Sequence, residues 1–138
     1  MSQVEFAPYI FFQGNCAEAM TFYKEVFGGD LDIQKFDTMP KEFDMPNKEE
    51  MKDKVMNANL KNGMVVIRGC DSIKASPQSK KIELCLTSSD ESKLRQVFDK
   101  LGQGGDIKYP LKKEFWGDIF GMLTDKFGVD WIVDITKE

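Results

Sequence analysis

The sequence predicts an α+β fold built from two strand–helix–strand–strand–strand modules, and three observations carry that prediction. The first is a repeat. Residues 8–31 run through an apolar strand (Pro8-Tyr9-Ile10-Phe11-Phe12), a polar turn (Gly14-Asn15) and a helix that stops at Gly28-Gly29-Asp30-Leu31. Residues 82–107 repeat the order with Ile82-Glu83-Leu84-Cys85-Leu86, the turn Ser88-Ser89-Asp90 and a helix that stops at Gly104-Gly105-Asp106-Ile107. The second is that the two helices share a face: Ala19, Phe22, Tyr23 and Val26 answer Leu94, Val97, Phe98 and Leu101 at i, i+3, i+4, i+7 spacing. The third is a hairpin in each half, at Lys61-Asn62-Gly63 and at Asp125-Lys126-Phe127-Gly128. Asn-Gly between apolar runs favours such a turn because both residues accept positive φ.

Taken in order, the first strand spans 9–12, and its aromatic content marks it as half or fully buried. Asn15 stands at the helix N-cap with Glu18 three residues later, the spacing of a capping box. The helix runs to Phe27, where Gly28-Gly29 ends it, and a strand follows over 31–36. Residues 37–55 change texture, with Pro40, Pro46 and dense charge, and read as a surface excursion with a helical turn near 48–54. Met39, Phe43, Met45 and Met51 give it an apolar side, so it is either a solvated loop with a few anchors or a lid. Strands at 56–60 and 64–68 complete the first half. Strands at 120–124 and 129–135 close the second. The chain is thus one domain, 1–138, made of pseudo-repeats at about 1–72 and 78–138.

Composition narrows the chemistry. A 138-residue chain buries about two-thirds of its unfolded surface and needs no disulfide or metal to fold. A net charge of −4 argues against nucleic acid, whose binders carry a concentrated basic face. Lys80-Lys81 and Lys112-Lys113 are isolated pairs that read as solvated strand edges. No apolar run is long enough to span a bilayer, and the N-terminus lacks the apolar core of a signal peptide. Three cysteines in no framework spacing fit a reducing, cytoplasmic setting. The chain has no histidine. Imidazole triads and the commonest metal ligand are therefore excluded, and acid–base work falls to carboxylates, Tyr, Lys or Cys.

Few residues are placed for chemistry. Gly102-Gln103-Gly104-Gly105 follows a helix, so it is a helix stop and no phosphate-cradling loop. Cys16 sits in a first helical turn, where the dipole lowers a thiol pKa, but without a basic neighbour it reads as structural. Cys85 alternates into a strand as core, and Cys70 ends a strand without a partner. Glu83 lies within an apolar strand and shares a face with Cys85 and Thr87, either toward solvent or into a polar-lined cavity, with solvent preferred. The stretch 114–131 gathers both tryptophans and three phenylalanines around glycines and aspartates. It packs a bent sheet or walls an aromatic pocket.

These residues also carry a resemblance. The opening Pro8-Tyr9-Ile10-Phe11-Phe12-Gln13-Gly14-Asn15-Cys16-Ala17-Glu18-Ala19, continued by Phe22-Tyr23 and Phe27-Gly28-Gly29, resembles that of PhnB-like proteins. So does the closing signature, Phe115-Trp116-Gly117-Asp118 through Phe120-Gly121 to Thr124-Asp125-Lys126-Phe127-Gly128-Val129-Asp130-Trp131. PhnB-like proteins stand in the glyoxalase/bleomycin resistance/dioxygenase, or vicinal oxygen chelate, superfamily. The resemblance implies paired βαβββ modules with curled mixed sheets around a cavity, in a homodimer. Enzymes of that superfamily hold a divalent metal between modules. Aligned through the helix Phe-Tyr pair, their ligand positions fall at Pro8, near Arg68, at Ile82 or Glu83, and near Ile132. At most one of these four is a ligand, and Arg68 would repel a cation. Many PhnB-like chains carry His in the strand where this one has Asn57, a poor transition-metal ligand.

The resemblance, with the metal-ligand positions departed from, points to a metal-independent small-molecule binder, with no cofactor expected and a divalent metal disfavoured. Tyr9, Phe11, Trp116, Phe120 and Trp131 would wall the cavity, with Asn57, Arg68, Glu83 and Asp118 as polar anchors. Two alternatives stand beside it. One is an enzyme of the metal-assisted lyase, isomerase or dioxygenase type that uses Glu83 or Asp118 as a base or as weak oxygen ligands for a metal. The other is a dimeric scaffold without a ligand role. A ubiquinone-pathway methyltransferase, sometimes attached to the family, finds no S-adenosylmethionine-type glycine loop here.

Overall fold

A computed structural model describes residues 5–39, 48–63, 65–72 and 82–137. The chain forms two compact units, Met1–Pro77 and Gln78–Glu138. Unit 1 runs β1 (Tyr9–Phe12), α1 (Cys16–Phe27), β2 (Asp30–Lys35), a 3₁₀ turn (Phe36–Thr38), α2 (Lys48–Met51), β3 (Val55–Asn62) and β4 (Val65–Asp71). Unit 2 runs β5 (Leu84–Ser88), α3 (Glu91–Gly102), β6 (Asp106–Lys113), β7 (Ile119–Thr124) and β8 (Asp130–Ile135). Each unit is the expected βαβββ module.

The sheets are built alike. Unit 1 has the order β1-β4-β3-β2 and unit 2 the order β5-β8-β7-β6. In each, the first and last strands pair in parallel and the rest are antiparallel. β6 is an edge strand, which is where Pro110 is tolerated, since proline has no N–H for a second neighbour. Its register against β7 shifts on both sides of Tyr109.

One helix covers one face of each sheet. α1 packs on β2, β3 and β4, and its buried side chains include Met20, Phe22, Tyr23 and Val26. Ala58, Leu60 and Ile67, alternating along β3 and β4, are buried on the same side. Unit 2 repeats this with Leu94, Val97, Phe98 and Leu101 of α3 against Leu123, Trp131, Val133 and Ile135. Each fully buried Leu, Met or Val contributes about 1.5–3 kcal/mol from transfer alone.

The glycine pairs that mark the repeat have a packing reason. A Cβ on Gly29, whose φ is +96°, would stand 2.5 Å from the Lys61 carbonyl oxygen. One on Gly105 would stand 2.3 Å from that of Thr124. In both units the second glycine lets the turn after the helix press against the following hairpin. Asn62 adds a tie in unit 1, its Nδ2 donating to the Phe27 carbonyl at the end of α1 (2.6 Å).

Two local expectations need correction. Asn15 occupies the N-cap position, yet its side chain caps nothing. The acceptor comes from Asp71 at the end of β4, whose Oδ1 takes the N–H groups of Gly14 and Cys16, both at 2.9 Å. Its Oδ2 takes Val55 N–H (2.9 Å), so one buried carboxylate ties helix start, β3 and β4 together. β5 begins at Leu84, two residues later than the apolar run suggests. The turn before α3 has two residues, against three before α1, so aligning the repeat through its helices misplaces the strands by one. The apolar side expected of the 37–55 excursion rests partly on Phe43 and Met45, which lie outside the described residues, as do Lys80 and Lys81. Among the described residues no helix is long and apolar enough to cross a membrane.

Candidate functional site

The face of each sheet away from its helix carries most of the residues singled out above. In unit 1, strand pairing sets Tyr9 opposite Arg68, Arg68 opposite Asn59 and Asn59 opposite Asp32, one polar row across all four strands. Alternation puts Phe11, Cys70, Asn57 and Gln34 on the same face, with Phe11 opposite Cys70 and Asn57 opposite Gln34. The Tyr9 and Phe11 rings lie 5.2 Å apart and are 44% and 58% exposed. Tyr9 hydroxyl and Cys70 thiol share a hydrogen bond, and burial pushes the pKa of both upward. Arg68 donates from Nη2 to Glu5 Oε1, and Glu5 Oε2 lies 2.9 Å from Lys61 Nζ. Those two cations hold the Glu5 carboxyl below its ordinary pKa, Lys61 first. Two atoms of the row are buried without a partner: Arg68 Nε and Asn59 Oδ1.

In unit 2 the corresponding face presents the row Thr87, Asp134, Phe120 and Lys112. Phe120 makes edge contacts with Tyr109 (6.1 Å) and Trp116 (5.8 Å), and Trp116 with Phe115 (5.0 Å). Tyr109 hydroxyl donates to Glu114 Oε1 at 2.5 Å. Asp134 faces the Asp118 carboxyl. Burial and then this like-charged neighbour raise the Asp134 pKa. Asp134 Oδ1 and Glu83 Oε1 are buried without a partner. Glu83 precedes β5 by one residue, and alternation places it with Cys85 and Thr87 on this face. It is half-buried, not solvated.

Tyr9, Phe11, Asn57 and Arg68 are thus brought together in unit 1, and Glu83, Trp116, Asp118 and Phe120 in unit 2. Trp131 stands apart. It is 2% exposed on the α3 side, where its Nε1 donates to Asp125 Oδ2 at 2.9 Å. Strand pairing sets it opposite Leu123, and alternation turns it to the face away from Ile132 and Asp134. The cysteine expectations also change. Cys85 is exposed, since alternation turns it from the core, and Cys70 is buried within β4. Burial and the adjacent Asp71 carboxylate push Cys16 up to about 12, against the lowering expected from the helix dipole. Asn59, Asp134 and Glu5 were missed. Asn59 carried a signal, two positions from Asn57 on one strand, whereas Asp134 and Glu5 gain meaning only from strand register and fold contacts.

The superfamily's metal positions can be tested on this chain. The backbone bonds Ser72 N–H to Phe12 O and Thr136 N–H to Ser88 O equate Phe12 with Ser88. Pro8 then matches Leu84, and Arg68 matches Ile132, which moves the second-module position one residue on from Glu83. Pro8, Arg68, Leu84 and Ile132 offer no side-chain donor for a divalent ion, and Arg68 already holds a carboxylate. The donor set does not fit a metal. No group of three or more His, Cys, Asp or Glu among the described residues is placed to hold one. On the covered side of unit 2, a groove of about 470 Å³ between α3 and β6 contains none of the expected site residues.

Comparison with known proteins bears on the family. The family model described as 3-demethylubiquinone-9 3-methyltransferase matches residues 4–134. Protein YjdN of Escherichia coli is 29% identical over 140 residues, covering 96% of this chain and 95% of YjdN. The crystal structure of PA1353 from Pseudomonas aeruginosa is similar at 32% identity and a TM-score of 0.83, covering 99% of this chain and all of that one. A Bacillus cereus PhnB protein, described as a putative 3-demethylubiquinone-9 3-methyltransferase, is similar at 25% identity and a TM-score of 0.75, covering 96% of this chain and all of that one. A glyoxalase/bleomycin resistance protein/dioxygenase family enzyme from Burkholderia phytofirmans shares the fold at 13% identity and 0.61, over 94% of this chain and 96% of its own.

Proposed function

The chain belongs to the 3-demethylubiquinone-9 3-methyltransferase family, in which PhnB-like proteins fall, and from that premise we propose that it is a metal-independent small-molecule binding protein. The observation that carries the reading is the set of side-chain atoms that, among the described residues, are buried without partners: Asn59 Oδ1, Arg68 Nε, Glu83 Oε1 and Asp134 Oδ1. Strand alternation puts all four on the helix-free faces. A buried polar atom left unpaired costs about 1–3 kcal/mol. Four of them beside Tyr9, Phe11, Trp116 and Phe120 describe surfaces completed by water or by a ligand with both polar and aromatic parts.

A second reading has its own support. Asp134, raised in pKa beside Asp118, has the environment of an acid–base carboxyl, which favours an enzyme without a metal. Methyl transfer, named in the family's description, finds less support: Gly104, with φ +75°, closes the end of α3 and forms no cofactor loop. Three free cysteines fit a reducing cytoplasm, and the family resemblance supports a homodimer.

A fragment screen read by ¹H–¹⁵N correlation spectra tests the binding reading. Fragments are expected to shift amides of Tyr9, Asn59, Arg68, Phe120 and Asp134 while the exposed sides of α1 and α3 stay silent. Shifts confined to the helices, or none across the library, would contradict it.

A further inference from the structure

We infer that Glu5 occupies the seat of a ligand carboxylate, and that the helix-free face of unit 1 takes aromatic carboxylates that displace it. The inference rests on the binding reading above and names its ligand class. A single carboxylate from the N-terminal segment bridges two cations on neighbouring strands, Arg68 of β4 through Oε1 and Lys61 of β3 through Oε2. Both cations and Asn59 lie on one face: Lys61 is two residues from Asn59, and Asn59 is the direct cross-strand partner of Arg68. The face is therefore already built for a carboxylate, and Glu5 demonstrates the fit.

That fit is incomplete in a specific way. A guanidinium holds a carboxylate best through two parallel N–H···O bonds. Glu5 gives Arg68 one oxygen only, because its other oxygen serves Lys61, and Arg68 Nε is left buried without an acceptor. A free carboxylate, not tethered to the backbone at residue 5, can offer both oxygens to the Nε–Nη2 edge. The body of such a ligand would lie over Tyr9 and Phe11, whose rings sit together on this face and stay about half exposed. Aromatic stacking beside a cation pair selects an aromatic carboxylate over an aliphatic one. The Glu5 pairs are partly exposed, with side chains 31%, 42% and 58% open for Glu5, Arg68 and Lys61. Exposed pairs are weak, so an internal latch of this kind can be displaced.

Titration with benzoate, and with neutral benzamide as control, followed at the amides of Tyr9, Phe11 and Arg68, tests this directly. Glu5→Gln removes the competing charge at nearly constant shape and is expected to bind benzoate about fivefold more tightly than the native protein. Adding Arg68→Gln to that variant is expected to weaken benzoate at least tenfold and benzamide by much less. Equal benzoate affinity with and without Glu5, or benzoate binding no better than benzamide, would overturn the inference and leave the broader reading standing. Failure of the broader reading has a different signature, a fragment library that shifts neither helix-free face.

Discussion

At Asp134, burial and the facing Asp118 carboxyl both act against the ionised form, so its pKa in the folded chain stands above the ordinary carboxylate value. A group raised in this way favours folding while it is protonated, and the advantage disappears as pH rises through its folded pKa. At neutral pH the two carboxylates repel, and Asp134→Asn should stabilise the protein by roughly 0.5–1 kcal/mol. At pH 3, below the ordinary value of 3.8, Asp134 is protonated in both states and the gain should vanish. Urea unfolding at the two pH values checks both halves. Side-chain chemistry was readable from sequence at this scale, but side-chain direction was not. Trp131 and Asp134 lie three residues apart on β8, and only the register of that strand puts the first in the core and the second on the open face. An aromatic-rich stretch advertises Trp131 and hides Asp134.

Among the elements, the turn after each helix shows how local signals and distant contacts divide the work. Helix stops, apolar helix faces and the Asn62-Gly63 hairpin were legible because each depends on residues a few positions apart. The start of α1 was not, because its capping acceptor is Asp71, 55 residues from Cys16. The Gly-Gly-Asp repeat falls between these cases: the sequence displays it, and the fold supplies the reason. Gly29 combines φ +96° with backbone 2.5 Å from where a Cβ would sit, whereas Gly63 has φ +58° and open space. Gly29→Ala should therefore cost about 2–3 kcal/mol, against about 1 kcal/mol for Gly63→Ala, where only the dihedral is strained. Equal losses in chemical denaturation would show that the close approach to the β3–β4 hairpin contributes nothing.

For the whole molecule, the repeat, the shared helix faces and the two hairpins carried the two βαβββ modules, and the opening and closing motifs carried the family, which the match over residues 4–134 shows. What the sequence could not display was which face of each sheet keeps unpaired polar groups, since that requires knowing which strands pair and in what register. The central claim is that these faces bind an organic molecule and that the fold's metal positions, now Pro8, Arg68, Leu84 and Ile132, hold no metal. Native mass spectrometry tests it most directly, on protein purified without chelators and then exposed to Ni²⁺, Zn²⁺, Mn²⁺ and Fe²⁺. The expected spectrum is unchanged by all four ions and carries, or readily accepts, an organic adduct. A stoichiometric metal adduct that survives a desalting step would contradict the claim.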